Sequence, residues 1–179
     1  MKITIGTNEE PVRLSYVNTH QPVSVNGSDP KYSVSIIIPK SDKRTVKKIQ
    51  DAIQKTIQDN KDKFGGKVPK NLRTPLRDGD VDREGDAAYA NSYFINANSK
   101  LKPGIVDKDL NPILDPSELY SGCYGRVSLN CYVYQVNGNK GATFGLNHVM
   151  KTADGEPLGG RSSAEADFAD DSDDDDILG

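Results

Sequence analysis

The chain has 179 residues with 23 Lys and Arg against 26 Asp and Glu, but these charges are segregated. Eight acids and no base follow Arg161, so residues 162–179 carry −8, while residues 1–161, with 23 bases against 18 acids, carry +5. The longest apolar run, Val34–Ile38 with Ser35 inside it, falls far short of the ~20 residues a membrane-spanning helix needs, and Cys123 and Cys131 are too few for a disulfide framework or a four-cysteine zinc site.

The N-terminal stretch Met1–Glu10 contains no apolar core of a secretory signal, so a cytoplasmic protein with free thiols is expected. Residues 12–38 alternate β-rich segments with turn formers: Val12–Val17, Pro22–Val25, the Asn26-Gly27-Ser28-Asp29-Pro30 turn, and Tyr32–Pro39. They predict two or three strands. Pro39 stops the last one, and Ser41 or Asp42 is placed to cap a helix over residues 42–63. Val46, Ile49, Ile53 and Ile57 recur at steps of three and four to form its apolar stripe, and Gly65-Gly66 ends it.

Residues 66–88 show no apolar period and predict a long loop that begins basic (Lys67, Lys70, Arg73, Arg77) and finishes acidic (Asp78, Asp80, Asp82, Glu84, Asp86). A strand is predicted at Tyr89–Ala97, a short Ile105-Val106 segment between turns, and a hairpin with strands Gly125–Val136 and Ala142–Val149 around Asn137–Gly141. The fold class is mainly β, an α+β chain in which one long helix connects the strands of a small closed or nearly closed barrel. An α+β sandwich and two packed sheets remain open as alternatives. The domain division is 1–161 for the body and 162–179 for an acidic tail too polar to join a core, hence disordered in isolation.

Alternation along Tyr124–Val136 separates two faces. Val127, Leu129, Cys131 and Val133 share one, suited to burial; Tyr124, Arg126, Ser128, Asn130, Tyr132 and Tyr134 share the other. Buried phenols would each need a partner, whereas exposed ones offer flat surfaces to unpaired bases and the arginine pairs with phosphate. A plainer reading is that tyrosines favour strands and face solvent or a second sheet. Lys70, Arg73 and Arg77 lie in a stretch that Pro69 and Pro75 keep from being helical, and they suit a loop following a phosphate backbone; Lys100 and Lys102 extend that surface. Solvated mixed charge is the alternative there.

Chemistry-bearing motifs are otherwise missing. Counted from Asp78, an EF-hand loop would need Gly sixth and Glu twelfth, where Arg83 and Tyr89 stand. His20 and His148 fit no metal spacing, and no phosphate loop or nucleophile elbow occurs, so neither metal, cofactor nor enzyme is expected.

Several segments resemble the single-stranded-DNA-binding proteins of phages and bacteria, and more closely one phage family long known only as an uncharacterised domain. The likeness rests on Gly122–Arg126, Tyr132-Val133-Tyr134, Gly141, Gly145-Leu146-Asn147, Asp154–Glu165, Thr74–Gly79 and Tyr93–Ala97. It implies an oligonucleotide-binding barrel (OB-fold) that coats single strands in phage replication or recombination, in the host cytoplasm, with an acidic tail that recruits replication or recombination proteins. On that reading Tyr124, Tyr132, Tyr134 and Tyr93 stack bases and Arg126 meets phosphate or a ring. Lys70, Arg73, Arg77, Lys100 and Lys102 line or extend the groove. The tail would offer Phe168, Asp173, Asp174, Asp175, Asp176, Ile177 and Leu178. The bacterial ending is an acidic run then Ile-Pro-Phe; here Ile177-Leu178-Gly179 stands in that place with no terminal Phe, and Phe168 is an alternative aromatic anchor within the acidic segment. Self-association is left open. The rival from another class is an acidic-tailed interaction protein or DNA mimic whose body does not bind DNA.

Overall fold

The computed structural model describes residues 1–158. Five strands close on themselves: β2 (Val12–Val23), β3 (Lys31–Pro39), β5 (Ser92–Ser99), β8 (Asn139–Ala153) and β7 (Tyr124–Val136). β2 pairs antiparallel with β3, β3 with β5, and β7 with both β8 and β2; the β5–β8 pairing is parallel. The result is a Greek-key barrel rather than a sandwich or two stacked sheets. β1 (Lys2–Ile5) joins the free edge of β7, β6 (Gly104–Asp107) runs parallel to β8, and the two-residue β4 (Arg77–Asp78) pairs with the start of β5. β1 had no counterpart in the sequence reading, although Lys2-Ile3-Thr4-Ile5 alternates and buries both isoleucines.

Apolar residues from alternate positions fill the barrel, among them Leu14, Val34, Ile36, Ile38, Ile95, Leu129, Cys131 and Phe144. The near-continuous Val34–Ile38 run follows from burial on both sides: Ile37 faces outward, where it meets Phe94 and Tyr89 in a second, smaller cluster. Where two short strands were expected over residues 12–25 there is one long strand, broken by register shifts between Ser15 and Asn18 and between Asn18 and Val23. The shifts disguise its period.

Asp42 caps α1 (Lys43–Asp59) by accepting from the Thr45 amide at 3.2 Å, and Val46, Ile49 and Ile53 of the apolar stripe are buried with Ala52 against the barrel. The last expected turn is a 3-10 turn, Lys61–Phe64, ended by Gly65 at φ 80°. The expected loop over residues 66–88 carries more structure than its composition suggests: β4, the short helix α2 (Gly79–Asp82) and a 3-10 turn at Ala87–Tyr89. Its acids hold it locally. Asp78 caps α2, Asp86 caps the 3-10 turn, and Asp80 accepts from the Asn91 amide at 2.9 Å while pairing with Lys40 at 2.8 Å. Tyr89 anchors the segment, buried with its hydroxyl 2.8 Å from Ser35 Oγ and its ring edge-on to Phe94. The strand predicted from Tyr89 accordingly starts at Ser92.

The hairpin turns on two residues, Asn137 (φ 50°) and Gly138 (φ 81°), as a tight two-residue connection with both φ angles positive requires. Cys123 and Cys131 are buried and unpaired, and burial pushes both thiols above their ordinary range. Among the described residues no helix is long and apolar enough to cross a membrane.

Candidate nucleic-acid interface

β5 changes partner along one edge. Its first residues pair with β4 (Arg77 opposite Phe94), and its later ones with β8 (Ala97 opposite Phe144, Asn98 opposite Gly145). Residues 73–76 bridge the change. Arg73 joins the β8 edge as an isolated bridge to Gly141: its amide donates to Lys140 O at 3.0 Å and its carbonyl accepts from the Ala142 amide at 3.3 Å. This approach requires glycine at 141, because a Cβ there would stand 2.4 Å from the Arg73 carbonyl oxygen.

Under this bridge opens a cleft of about 1030 Å³, walled by Arg73, Arg77, Tyr132, Tyr134, Asn96, Asn98, Thr143 and Lys31 together with the Thr74-Pro75-Leu76 turn; Asp78 and Asp82 also border it, paired with Lys40 and Arg77. Tyr132 is 43% exposed. Its ring sits over Gly145, whose missing side chain leaves room for it: a Cβ there would lie 3.4 Å from the ring edge. Arg77 lies 5.2 Å above the Phe94 ring and pairs with Asp82 at 3.1 Å, whereas Arg73 and Lys31 form no ion pair among the described residues. Flat rings, amide side chains and uncompensated cations in one open groove are suited to bases and phosphates together.

The remaining sequence-proposed residues lie elsewhere. Tyr124 and Arg126 occupy the far end of β7, about 26 Å and about 20 Å from Tyr132 at ~3.3 Å per residue. There the Arg13 guanidinium covers the Tyr124 ring at 5.6 Å, and Arg126 Nε donates to the Gly6 carbonyl at 3.1 Å. Tyr93 alternates with the cleft residues Asn96 and Asn98, packs against the barrel core and carries Lys40 over its ring at 5.2 Å. Lys70 is exposed but outside the cleft wall. Lys100 and Lys102 are exposed in the β5–β6 connection; Lys102 adjoins His20, whose imidazole is held below its ordinary value by burial and then by Lys102, against Asp115. Phe168, Asp173–Asp176, Ile177 and Leu178 lie outside the described residues.

Sequence reasoning did not single out Lys31, Asn96, Asn98 and Thr143. Alternation marks Asn96 and Asn98 as outward on β5, but which strand would stand beside them depends on the parallel β5–β8 pairing, across more than forty residues of chain. The acidic run Asp78–Asp86 serves as helix caps and ion-pair partners.

A closed five-stranded Greek-key barrel with an aromatic and cationic cleft on its outer face is an OB-fold protein. The model of the Enterobacter phage Enc34 ssDNA-binding protein family matches residues 1–178, and the chain belongs to that family. It is 32% identical to the putative protein p50 of Acyrthosiphon pisum secondary endosymbiont phage 1, over 96% of this chain and 94% of that one. Among solved structures it is similar to the single-stranded DNA-binding protein of bacteriophage Enc34 in complex with ssDNA (26% identity, TM-score 0.74, 88% of this chain and 89% of that one). A C-terminal truncation of the Enc34 protein matches with 26% identity, a TM-score of 0.71 and 88% of each chain covered. The gp2.5 protein of bacteriophage T7, at 16% identity, TM-score 0.62 and 95% and 93% coverage, shares the fold.

Proposed function

We propose that this chain binds single-stranded DNA without strong sequence preference, and that the strand lies in the cleft of Tyr132, Tyr134, Arg73 and Arg77. One observation carries the reading: segments far apart in sequence bring two tyrosines and two arginines to a single open groove on an OB barrel. Membership of a family named for ssDNA binding, and likeness to a relative solved with ssDNA, support it. Tyr132 and Tyr134 stack bases, Arg73 and Arg77 take phosphates, and Asn96, Asn98 and Lys31 line the path. The protein is a non-enzymatic coat that protects and organises phage single strands in replication or recombination, in the host cytoplasm and without a cofactor.

Residues 162–179, with a charge of −8, act as a tethered competitor for the +5 body and recruit replication or recombination proteins when DNA displaces them. The tail could span roughly 60 Å at ~3.3 Å per residue, enough to reach any face of the body. Fluorescence titration with oligothymidylate across a salt series tests both halves. Affinity should fall with salt at a log–log slope of about −0.7 per phosphate contact, and removal of residues 162–179 should tighten binding at low salt. A salt-independent affinity sinks the first half, and unchanged or weaker binding by the shortened chain sinks the second.

A further inference from the structure

We infer that a second station for an unpaired nucleotide lies on the outer face of β2, where Tyr16, its ring covered by Arg83, lines a pocket of about 780 Å³, and that a strand held in the cleft continues across β3 to reach it. This rests on the cleft being the DNA groove. The backbone at Tyr16 carries the first part of the argument. Its φ is 45°, in the left-handed region where glycine and asparagine sit easily and a bulky side chain does not. The bulge between Ser15 and Asn18 accounts for the positive φ, since β2 must bend to pair with both β3 and β7. It does not account for tyrosine. The ring is 52% exposed, so the core gains little from it, and an aromatic kept at a strained, outward-aimed position points to a ligand.

Arg83 supplies the charge. Its guanidinium lies 4.8 Å over the Tyr16 ring, 5.3 Å over Tyr89 and 5.8 Å over Phe94, and one Nη donates to the Tyr16 hydroxyl at 3.2 Å. Three rings hold it, and among the described residues no carboxylate pairs with it. Asp80, Glu84 and Asp86 share a cavity wall with it, but a guanidinium held by rings with no carboxylate in contact keeps its donors for phosphate. The adjoining pocket is walled by Ser15, Tyr89, Tyr120, Ala87 and Leu158, an apolar surface with hydroxyls at its margin. Asp86 also borders it, but its carboxylate accepts from the Ala88 amide and caps the 3-10 turn.

Register joins this pocket to the cleft. Ser15 stands opposite Ser35, and Ser35 opposite Asn96, which lies in the cleft wall with Thr143; Thr143 stands opposite Tyr132. The two aromatic stations are thus four strand spacings apart, about 19 Å around the barrel at ~4.8 Å per strand. Tyr89 covers Ser35, so the strand passes over the segment lying on β3 rather than on β3 itself, and Arg77 and Arg83, both over the buried Phe94 ring, mark that way with cations.

The test uses the full-length chain, with oligothymidylates of about 4 and about 16 nucleotides, the limits of the usual OB-fold site size. Tyr16→Asn, which suits the positive φ, should leave the melting temperature unchanged or higher, leave the short oligomer's affinity unchanged, and weaken the long one about fivefold or more, the loss of one base stack. Arg83→Gln should weaken the long oligomer alone and lower its salt slope by about 0.7. Long-oligomer binding by Tyr16→Asn that matches the wild type overturns the proposal. So does tighter binding of both oligomers at low salt, which would place the chain's own acidic segment against the ring, and so does a fall in melting temperature with equal losses for both lengths. Tyr132→Ala separates the two readings: if it weakens both lengths while Tyr16→Asn binds both as the wild type does, the β2 station alone fails; if it leaves both lengths untouched, the cleft reading fails and the proposed continuation from it fails too.

Discussion

Gly141→Ala is the sharpest perturbation of the cleft because it replaces no side chain that would meet DNA. A Cβ at 141 would stand 2.4 Å from Arg73 O and 3.1 Å from both Arg73 N and Arg73 Cβ, so backbone must move, and the 70–74 stretch, half of a single isolated bridge and mostly exposed, yields more readily than β8, which is paired on both edges. Moving it breaks the hydrogen bonds from the Arg73 amide to Lys140 and from the Ala142 amide to Arg73. Two such bonds are worth about 2 kcal/mol net of water, which lowers the melting temperature by about 4–8 °C in a chain of this size. The cleft would lose the held position of Arg73 while Tyr132, Tyr134 and the β4-anchored Arg77 stay. Loss of one charge-assisted hydrogen bond, about 1.5 kcal/mol, raises the dissociation constant roughly tenfold, and the salt slope drops by about 0.7. Titrations of wild type, Gly141→Ala, Arg73→Ala and the double variant across salt concentrations check this. Because both substitutions remove the same contact, the double variant should bind no worse than either single one. Wild-type affinity and slope in Gly141→Ala, or effects that add in the double variant, would refute the reasoning.

Three further outcomes can be measured. Tyr132→Ala should cost about 1–3 kcal/mol of oligothymidylate binding, while Tyr124→Ala, at the other end of β7 beneath Arg13, should cost far less binding than stability; fluorescence titration beside thermal melting distinguishes them. Asp80 should contribute to acid lability. Lys40 first, and the Asn91 amide second, hold its carboxyl below the ordinary 3.8, so its contribution is complete above that value and is lost as the pH falls through the lower folded-state value. Melting temperatures followed to acid pH should show a shallower low-pH decline in Asp80→Asn, and an unchanged profile would contradict the assignment. Ile49→Ala, at a fully buried position where α1 meets the barrel, should destabilise by about 2–5 kcal/mol in urea titrations and leave the salt slope of binding unaltered.

How legible each part was depended on the range of the interactions behind it. Local terms set α1: the Asp42 cap and the Val46, Ile49, Ile53 stripe act within a few residues, and the helix forms where they put it. The same holds for the β7–β8 hairpin, whose turn demands Asn-Gly chemistry, and for the buried face Val127, Leu129, Cys131, Val133. The sequence of 66–88 reads as loop because capping carboxylates and one buried tyrosine hold it, and neither produces an apolar period. Bulges hid β2 in the same way.

By itself the sequence determined the segregation of charge, the strand-rich class, the single long helix and an aromatic, cationic outer face on β7, since each depends on composition or on contacts close along the chain. Tertiary structure alone decided how that face is divided. β8 pairs with β7 along its whole length on one edge, but on the other edge β1 and β2 reach only its first part, where the Arg13 side chain and the Gly6 carbonyl engage Tyr124 and Arg126, leaving Tyr132 and Tyr134 beside the open cleft. It also decided that Arg73 and Arg77 meet those tyrosines, because only ring closure through the parallel β5–β8 pairing creates the edge on which residues 73–78 lie. Alternation tells which way a side chain faces, but what stands opposite is set by pairings that span the whole chain.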